Sequence, residues 1–75
     1  MNTINKRNIK ESIGWNIKHH RSKKQMTQKE LADLLKVDRQ YIWKIENGKI
    51  NLTLDYLDKI ITKLKCTYED FFNIS

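Results

Sequence analysis

The chain has 75 residues, 39% of them hydrophobic, a length that buries only about 60% of the surface its unfolded form exposes and leaves little room for a catalytic cleft. Two glycines and no proline starve an all-β fold of turn residues, so the composition predicts a single all-α domain. Fifteen Lys and Arg against nine Asp and Glu give a formal charge of +6 and point to a polyanionic partner.

The first seven residues, MNTINKR, lack periodicity and read as a flexible basic N-terminal arm, with residues 8–75 as the domain. From Asn8 onward, Ile9, Ile13 and Ile17 recur every fourth residue, which predicts a first helix running to about Lys24 with one apolar stripe. His20 falls near that stripe and is expected to be partly packed with its ring tip in water. Trp15 lies on the outer side, as packing or surface. Thr27 and Glu30 then form a capping box, in which each side chain satisfies the other residue's free backbone N–H. The helix it opens has Leu31, Leu34 and Leu35 as its inner face and small Ala32 where a neighbour can approach. Only Lys36 and Val37 separate Leu35 from the next cap, Asp38, so the second and third helices must cross sharply. Ile42 and Ile45 point inward from the third helix, and Asn47-Gly48 ends it, because Gly accepts a left-handed backbone at low cost. Thr53 caps a fourth helix carrying Leu54, Leu57, Ile61 and Leu64. Thr67 with Asp70 opens a last turn, YEDFF, and Phe71, Phe72 and Ile74 close the chain.

Two short helices crossing through a tight turn, the first begun by Gln28 and the second rich in polar side chains, make the helix-turn-helix pattern. Residues 13–72 resemble the DNA-binding domain of the Xre family, which includes Cro and the lambda-type phage repressors. The pieces that carry the resemblance are IGWNIKHHR, TQKELADLL, YIWKIENGK, LTLDYLDKIITKL and YEDFF, in the family's order and spacing. It implies a five-helix lambda-repressor-like domain. Within the family the chain is most similar to restriction-modification controller proteins, which tend to carry Asp-Arg-x-Tyr-Ile, here Asp38 to Ile42, and an Asn-Leu-Thr segment, here Asn51, Leu52 and Thr53. The resemblance also implies a structural ion pair between Arg21 and Glu46 and a phosphate contact at Gln28. In many relatives Gly stands where this chain has Lys36, at a point where the backbone turns left-handed.

The chemistry of the third helix can be read from its residues. An α-helix fits the major groove, where Arg can bond both acceptors of a guanine edge and Gln can pair with adenine, so Arg39 and Gln40 lead as base readers. Trp43 and Lys44 lie one turn on. The Tyr41 hydroxyl could meet phosphate or a base edge and the Trp43 ring a thymine methyl; the alternative for each ring is that it folds back onto the second helix and covers core. Phosphate contacts are expected from Gln28, at a helix N-terminus, and from Lys44, Lys49 and Asn51 at the far end of the recognition helix. Lys23, Lys24 and Lys29 are either further grips or a solvated face.

Residues 1–50 carry twelve cations and five anions, a net of +7, whereas residues 51–75 carry three and four, a net of −1. The neutral third is therefore free for another task, expected to be two-fold association through Leu64, Phe71, Phe72 and Ile74. The reading is a homodimeric, cytoplasmic transcription regulator on a palindromic double-stranded DNA operator, of the controller type, with RNA polymerase as a further partner. The alternatives are a phage or plasmid repressor, an antitoxin, or a protein-interaction module of the same fold. No membrane or small-molecule partner is expected, since no segment is long and apolar enough to span and no signal peptide or lipidation site is evident. Cys66 alone excludes an internal disulfide and reads as a small buried hydrophobe, and the adjacent pair His19 and His20 lacks zinc-ligand spacing, so neither metal nor cofactor is expected. Paired carboxylates, a nucleophile beside a base and a phosphate-cradling Gly loop are all missing, which argues against an enzyme.

Overall fold

The computed structural model describes residues 8–73, and among them the secondary structure is helical throughout: α1 (Ile9–Lys23), α2 (Gln28–Leu35), α3 (Arg39–Glu46), α4 (Leu54–Lys63) and α5 (Tyr68–Phe72). The N-terminal arm expected at residues 1–7 lies outside the described residues. Each helix starts at a side-chain cap. Asn8–Glu11 and Thr27–Glu30 are reciprocal capping boxes. Asp38, Thr53 and Thr67 accept from the backbone N–H of Tyr41, Tyr56 and Asp70.

The helix ends follow one recipe. Gln25, Lys36 and Lys65 have left-handed backbones, with φ of 57°, 60° and 57°, although none is glycine. The next residue's N–H reaches back into the helix each time: Met26 to the Arg21 carbonyl at 3.1 Å, Val37 to Ala32 at 3.0 Å, Cys66 to Ile61 at 3.3 Å. These are Schellman-type closures, which satisfy carbonyls that the helix itself cannot. The residue after that is the next cap, so Gln25-Met26-Thr27, Lys36-Val37-Asp38 and Lys65-Cys66-Thr67 repeat one junction of left-handed residue, apolar residue and N-cap. Met26, Val37 and Cys66 pack against the core, and the residues five positions on from them, Leu31, Ile42 and Phe71, are buried in it. That spacing is the hydrophobic staple, which sets the angle at which one helix enters the next. A non-glycine left-handed residue costs about 1–2 kcal/mol, and the closure and the buried apolar residue offset it. Gly48, at φ 71°, ends α3 in the same way, with the Lys49 N–H on the Lys44 carbonyl at 2.9 Å.

The core is built from Ile17, Leu31, Ala32, Leu35, Ile42, Ile45, Leu57, Ile60, Ile61, Leu64 and Phe71. Gly14 sits where α1 meets the end of α3: a Cβ there would lie 2.5 Å from the Ile45 carbonyl oxygen and 2.6 Å from that of Glu46. Glycine therefore allows a backbone-to-backbone approach that any side chain would block. Three residues that periodicity assigns to inner stripes are instead exposed: Ile9, Leu34 and Leu54. Leu34 falls on the flank of the stripe made by Leu31, Ala32 and Leu35. Ile9 and Leu54 are first residues of their helices, and no described element covers them.

His20 differs from expectation too, being buried rather than wet at its tip. Its Nε2–H donates to the Asp70 carbonyl at 3.1 Å, and its ring stacks on Phe71 with centroids 5.5 Å apart, so it ties α1 to α5. Burial, with the neighbouring His19, pushes its pKa below the ordinary 6.5. Because the folded-state pKa is depressed, the unfolded chain takes up a proton first as pH falls through 6.5. The stability that neutral His20 supports is thus fully present above that value and lost below it. The melting temperature should fall between about pH 7.5 and about pH 5.5, and His20→Gln should flatten that dependence. Lys36→Gly tests the junctions: relief of the left-handed strain against added unfolded-state entropy should leave stability unchanged or raise it by up to about 1 kcal/mol. A clear drop in melting temperature would mean that this turn closes in another way.

Candidate nucleic-acid interface

The position of α3 is set by its last residue. Glu46 is buried, its side chain 1% exposed, and its carboxylate meets Arg21 of α1: Nε donates to Oε2 at 2.6 Å and Nη2 to Oε1 at 3.1 Å. The third arm of the same guanidinium, Nη1, donates to the Met26 carbonyl at 2.7 Å, inside the junction between α1 and α2. Gln28, the first residue of α2, adds Nε2 to Glu46 Oε1 at 2.9 Å. A bidentate, charge-assisted pair with every described contact short is how a buried charge is tolerated. The pair thus brings Arg21 and Glu46 together as a tie between α1, α2 and α3.

Outward from this anchor, α3 presents Arg39, Gln40, Trp43 and Lys44, all exposed, while Ile42 and Ile45 are buried. The division follows the helical repeat, since 40, 43 and 44 share one face and 42 and 45 the other. Arg39 also turns toward α2, its Nη1 donating to Gln28 Oε1 at 3.0 Å. Trp43 keeps 45% of its surface in solvent beside these polar groups. Tyr41 does not join them. It stands one turn before Ile45, packs against the core and lies edge-on to Tyr56 of α4, with centroids 6.3 Å apart. Its ring covers core, one of the two alternatives the sequence leaves for it, although the surface covered is toward α4 rather than α2. The Tyr56 hydroxyl behind it is buried with no hydrogen-bond partner among the described residues, and burial raises that phenol's pKa.

Lys49 and Asn51 are exposed just beyond Gly48, off the end of α3. Lys29 pairs with Asp33 at 3.2 Å on the surface of α2, and Lys24 Nζ donates to the Lys65 carbonyl at 3.1 Å, closing the end of α4. Two of the three lysines Lys23, Lys24 and Lys29 thus have local work. Trp15 stacks on His19 with centroids 5.2 Å apart. Cys66 is half-buried, and burial pushes its thiol pKa up, which suits a packing residue. No cluster of His, Cys, Asp and Glu able to hold a metal is found among the described residues, nor is any of their helices long and apolar enough to cross a membrane.

The expected dimer surface needs correction. Leu64 and Phe71 are fully buried inside the protomer and cannot face a partner. Leu64, the C-cap of α4, continues the inner stripe of Ile60 and Ile61, and Phe71 lies beneath His20. Phe72 does face solvent, edge-on to Phe71, and Ile74 lies outside the described residues. Phe72 stands at an apolar groove of about 310 Å³ whose lining includes Ile9, Ile13, Ile50, Leu52 and Leu54. Gly14 carries a signal of its own in the sequence, since a glycine inside a helix costs about 1 kcal/mol and so asks for a reason. The Gln28–Arg39 contact had no sequence signal, because it depends on the angle between two helices.

A family model described as "Helix-turn-helix" matches residues 17–71. Among solved structures, the clp gene regulator ClgR from Corynebacterium glutamicum superposes with a TM-score of 0.82 at 22% identity, over 92% of this chain and 88% of that one. That likeness is one of fold. The restriction-modification controller protein C.Esp1396I, solved as a tetramer in complex with its natural 35 base-pair operator, is 37% identical, with a TM-score of 0.74 over 83% of this chain and 82% of that one. The controller C.AhdI from Aeromonas hydrophila is 29% identical, with a TM-score of 0.73 over 83% of this chain and 90% of that one. No curated protein sequence matches the chain significantly.

Removing the anchor should be costly. Glu46→Ala leaves the Arg21 charge and the Gln28 amide without their partner, and should lower unfolding free energy by about 3–5 kcal/mol in denaturant titrations. A loss under about 1 kcal/mol would show that water replaces the carboxylate freely and that the tie is not what holds α3.

Proposed function

The chain belongs to the helix-turn-helix family, and on that premise we propose that it is a sequence-specific transcription regulator binding a palindromic DNA operator as a homodimer, of the restriction-modification controller type. The observation that carries this reading is the composition of the outward face of α3. It keeps Arg39, Gln40, Trp43 and Lys44 in solvent on a helix whose other face is locked into the core. Versions of the fold that serve only protein contacts tend to lose these cations, whereas this face keeps a guanidinium, an amide and an ammonium, the donors that base edges and phosphates accept from. The 37% identity to a controller that was solved on its operator favours the controller type.

In this reading Arg39 holds a guanine edge, Gln40 an adenine edge, and Trp43 a thymine methyl or sugar, with Lys44 beside them. Lys49, Asn51 and the free backbone N–H groups at the start of α2 take phosphates, which position the domain and carry no sequence information. One short helix reads too few base pairs to select a site in a genome, so a second copy is required. The groove that Ile9, Leu54 and Phe72 leave exposed supplies a surface for it, since a contact there buries apolar area that the protomer leaves wet. Two recognition helices then sit about 34 Å apart on successive major-groove faces. RNA polymerase enters only as a neighbour at the regulated promoter. Regulation follows protein concentration, with no small-molecule ligand, cofactor or catalysis, in the cytoplasm.

Titrations on operator, half-site and scrambled duplexes at several salt concentrations test the reading. Arg39→Ala should lose about 1–3 kcal/mol on the operator and relax preference at one base position per half-site, with a smaller loss on scrambled DNA. Lys49→Ala should weaken all duplexes alike and lower the slope of log affinity against log salt by about 1 per contact removed, doubled in a dimer. A half-site duplex should bind far more weakly than the full operator. An Arg39→Ala variant that is sequence-neutral, or equal binding to half-site and operator, would sink the proposal.

A further inference from the structure

The shortest of the described helices, α5, is too short to persist in water on its own, so its place depends on what it packs against, chiefly α1. One side chain of α1 makes two of the attachments. His20 donates from Nε2 to the Asp70 carbonyl at 3.1 Å, and its ring stacks on Phe71 with centroids 5.5 Å apart. A third attachment, from the Tyr68 hydroxyl to the Asp58 carboxylate, ties α5 to α4 at the surface. Phe72 lies edge-on to Phe71 at 5.0 Å and forms part of the wall of the apolar groove. A buried histidine thus stands one ring away from a residue that the groove presents to solvent.

The charges around His20 decide how it responds to acid. Beside it lies an open cavity of about 570 Å³, lined from the end of α1 by His19, Lys23 and Lys24, from the α4–α5 junction by Lys65 and Cys66, and from α5 by Asp70. Burial holds the Cys66 thiol protonated, and Lys24 is spent on the Lys65 carbonyl. Three ammonium groups and a second imidazole against one carboxylate make this a poor place for another cation. Burial first, and then His19, keep the ring neutral, and they outweigh the help that the Asp70 and Phe71 backbone gives a charged ring.

We propose that protonation of His20 releases α5 from α1 and thereby loosens the association between copies, so that the dimer, and operator binding with it, weakens in mild acid. The link to association rests on the homodimer proposed above; the release of α5 does not. A protonated ring brings charge into a buried position among cations, and displacement of α5 lets water reach it. Phe72 leaves with α5, and the groove loses part of its wall. Apparent affinity between copies then falls in proportion to the fraction of protomers with α5 seated. The loss of stability at low pH is concentrated in α5, while the frame of α1, α2 and α3 tied by Arg21 and Glu46 persists.

The chain has two histidines, so His19→Gln and His20→Gln separate the side chains that ordinarily titrate between about pH 5.5 and about pH 7.5. Glutamine keeps an N–H for the Asp70 carbonyl and does not titrate. Sedimentation equilibrium across that range should show the dimer dissociation constant rising about tenfold on acidification in the parent chain and in His19→Gln, and less than about twofold in His20→Gln. A second measurement needs no variant. Hydrogen exchange in the parent chain, corrected for the intrinsic effect of pH, should lose protection at the Phe71 and Asn73 amides of α5 before the Leu57 and Leu64 amides of α4, with a midpoint that matches the His20 ring titration followed by NMR. Equal loss in α4 and α5 means global unfolding and overturns the release. A pH dependence that survives in His20→Gln belongs to another group and overturns the proposal. Released α5 with an equally tight dimer at both ends of the range puts Phe72 outside the contact and overturns the link to association alone. A chain that is monomeric at pH 7.5 overturns the homodimer reading and that link with it, while exchange still decides the release of α5 on the monomer.

Discussion

One buried carboxylate organises the surface on which any function of this domain depends. Glu46 is the last residue of α3, and it accepts from Arg21 of α1 and Gln28 of α2. Hydrophobic packing sets which stripe of a helix faces the core without saying how finely it is rotated, because apolar contact is not directional. A bidentate pair does say so. Well-packed apolar residues can equal a buried pair in stability, and the stripe of Ile42 and Ile45 already opposes a gross roll of α3, but the carboxylate–guanidinium geometry holds at one angle and so fixes the rotation more narrowly. Gly14 belongs to the same constraint, since it lets α1 approach the carbonyls of Ile45 and Glu46 closely.

The second organising feature is economy of connection. Three junctions of the same design join α1 to α2, α2 to α3 and α4 to α5, and each does several things within three residues. The left-handed residue closes one helix, the apolar residue enters the core, and the cap opens the next helix. In a chain too short to bury a large core, such junctions limit the ways in which helices can enter one another, so less of the geometry is left to side-chain packing. The cost is backbone strain at Gln25, Lys36 and Lys65, accepted where glycine would have been freer but would have lost more entropy on folding.

These two features divide the surface. Basic and amide groups collect on α3 and just past its end, where they are held by a rigid frame. Apolar residues that the small core cannot accommodate, Ile9, Leu54 and Phe72, collect around a different groove. Separation of the two matters physically, because a contact with polyanion is weakened by salt whereas apolar association is not. Binding to nucleic acid and association between copies can thus respond to different conditions.

The amino-acid sequence by itself determined the five helices, their caps, the sharp crossing of α2 and α3, and the family, since these depend on local signals: Thr27 with Glu30, Asp38, Asn47-Gly48, Thr53, and apolar residues at helical spacing. Tertiary structure alone decided which members of an apolar stripe are covered. Leu34 and Leu54 repeat correctly yet face solvent, and Leu64 and Phe71 look available for a partner yet lie in the core, because burial depends on whether another element happens to lie opposite. The same holds for His20, whose partner is the Asp70 carbonyl fifty residues away, and for Tyr41, whose neighbour is Tyr56. It holds most of all for the bonds from Glu46 through Gln28 to Arg39. Helix formation is a property of residues a turn apart and can be read in order along the chain, whereas the direction of a side-chain hydrogen bond is a property of the angle between helices, and that angle exists only once the chain has folded.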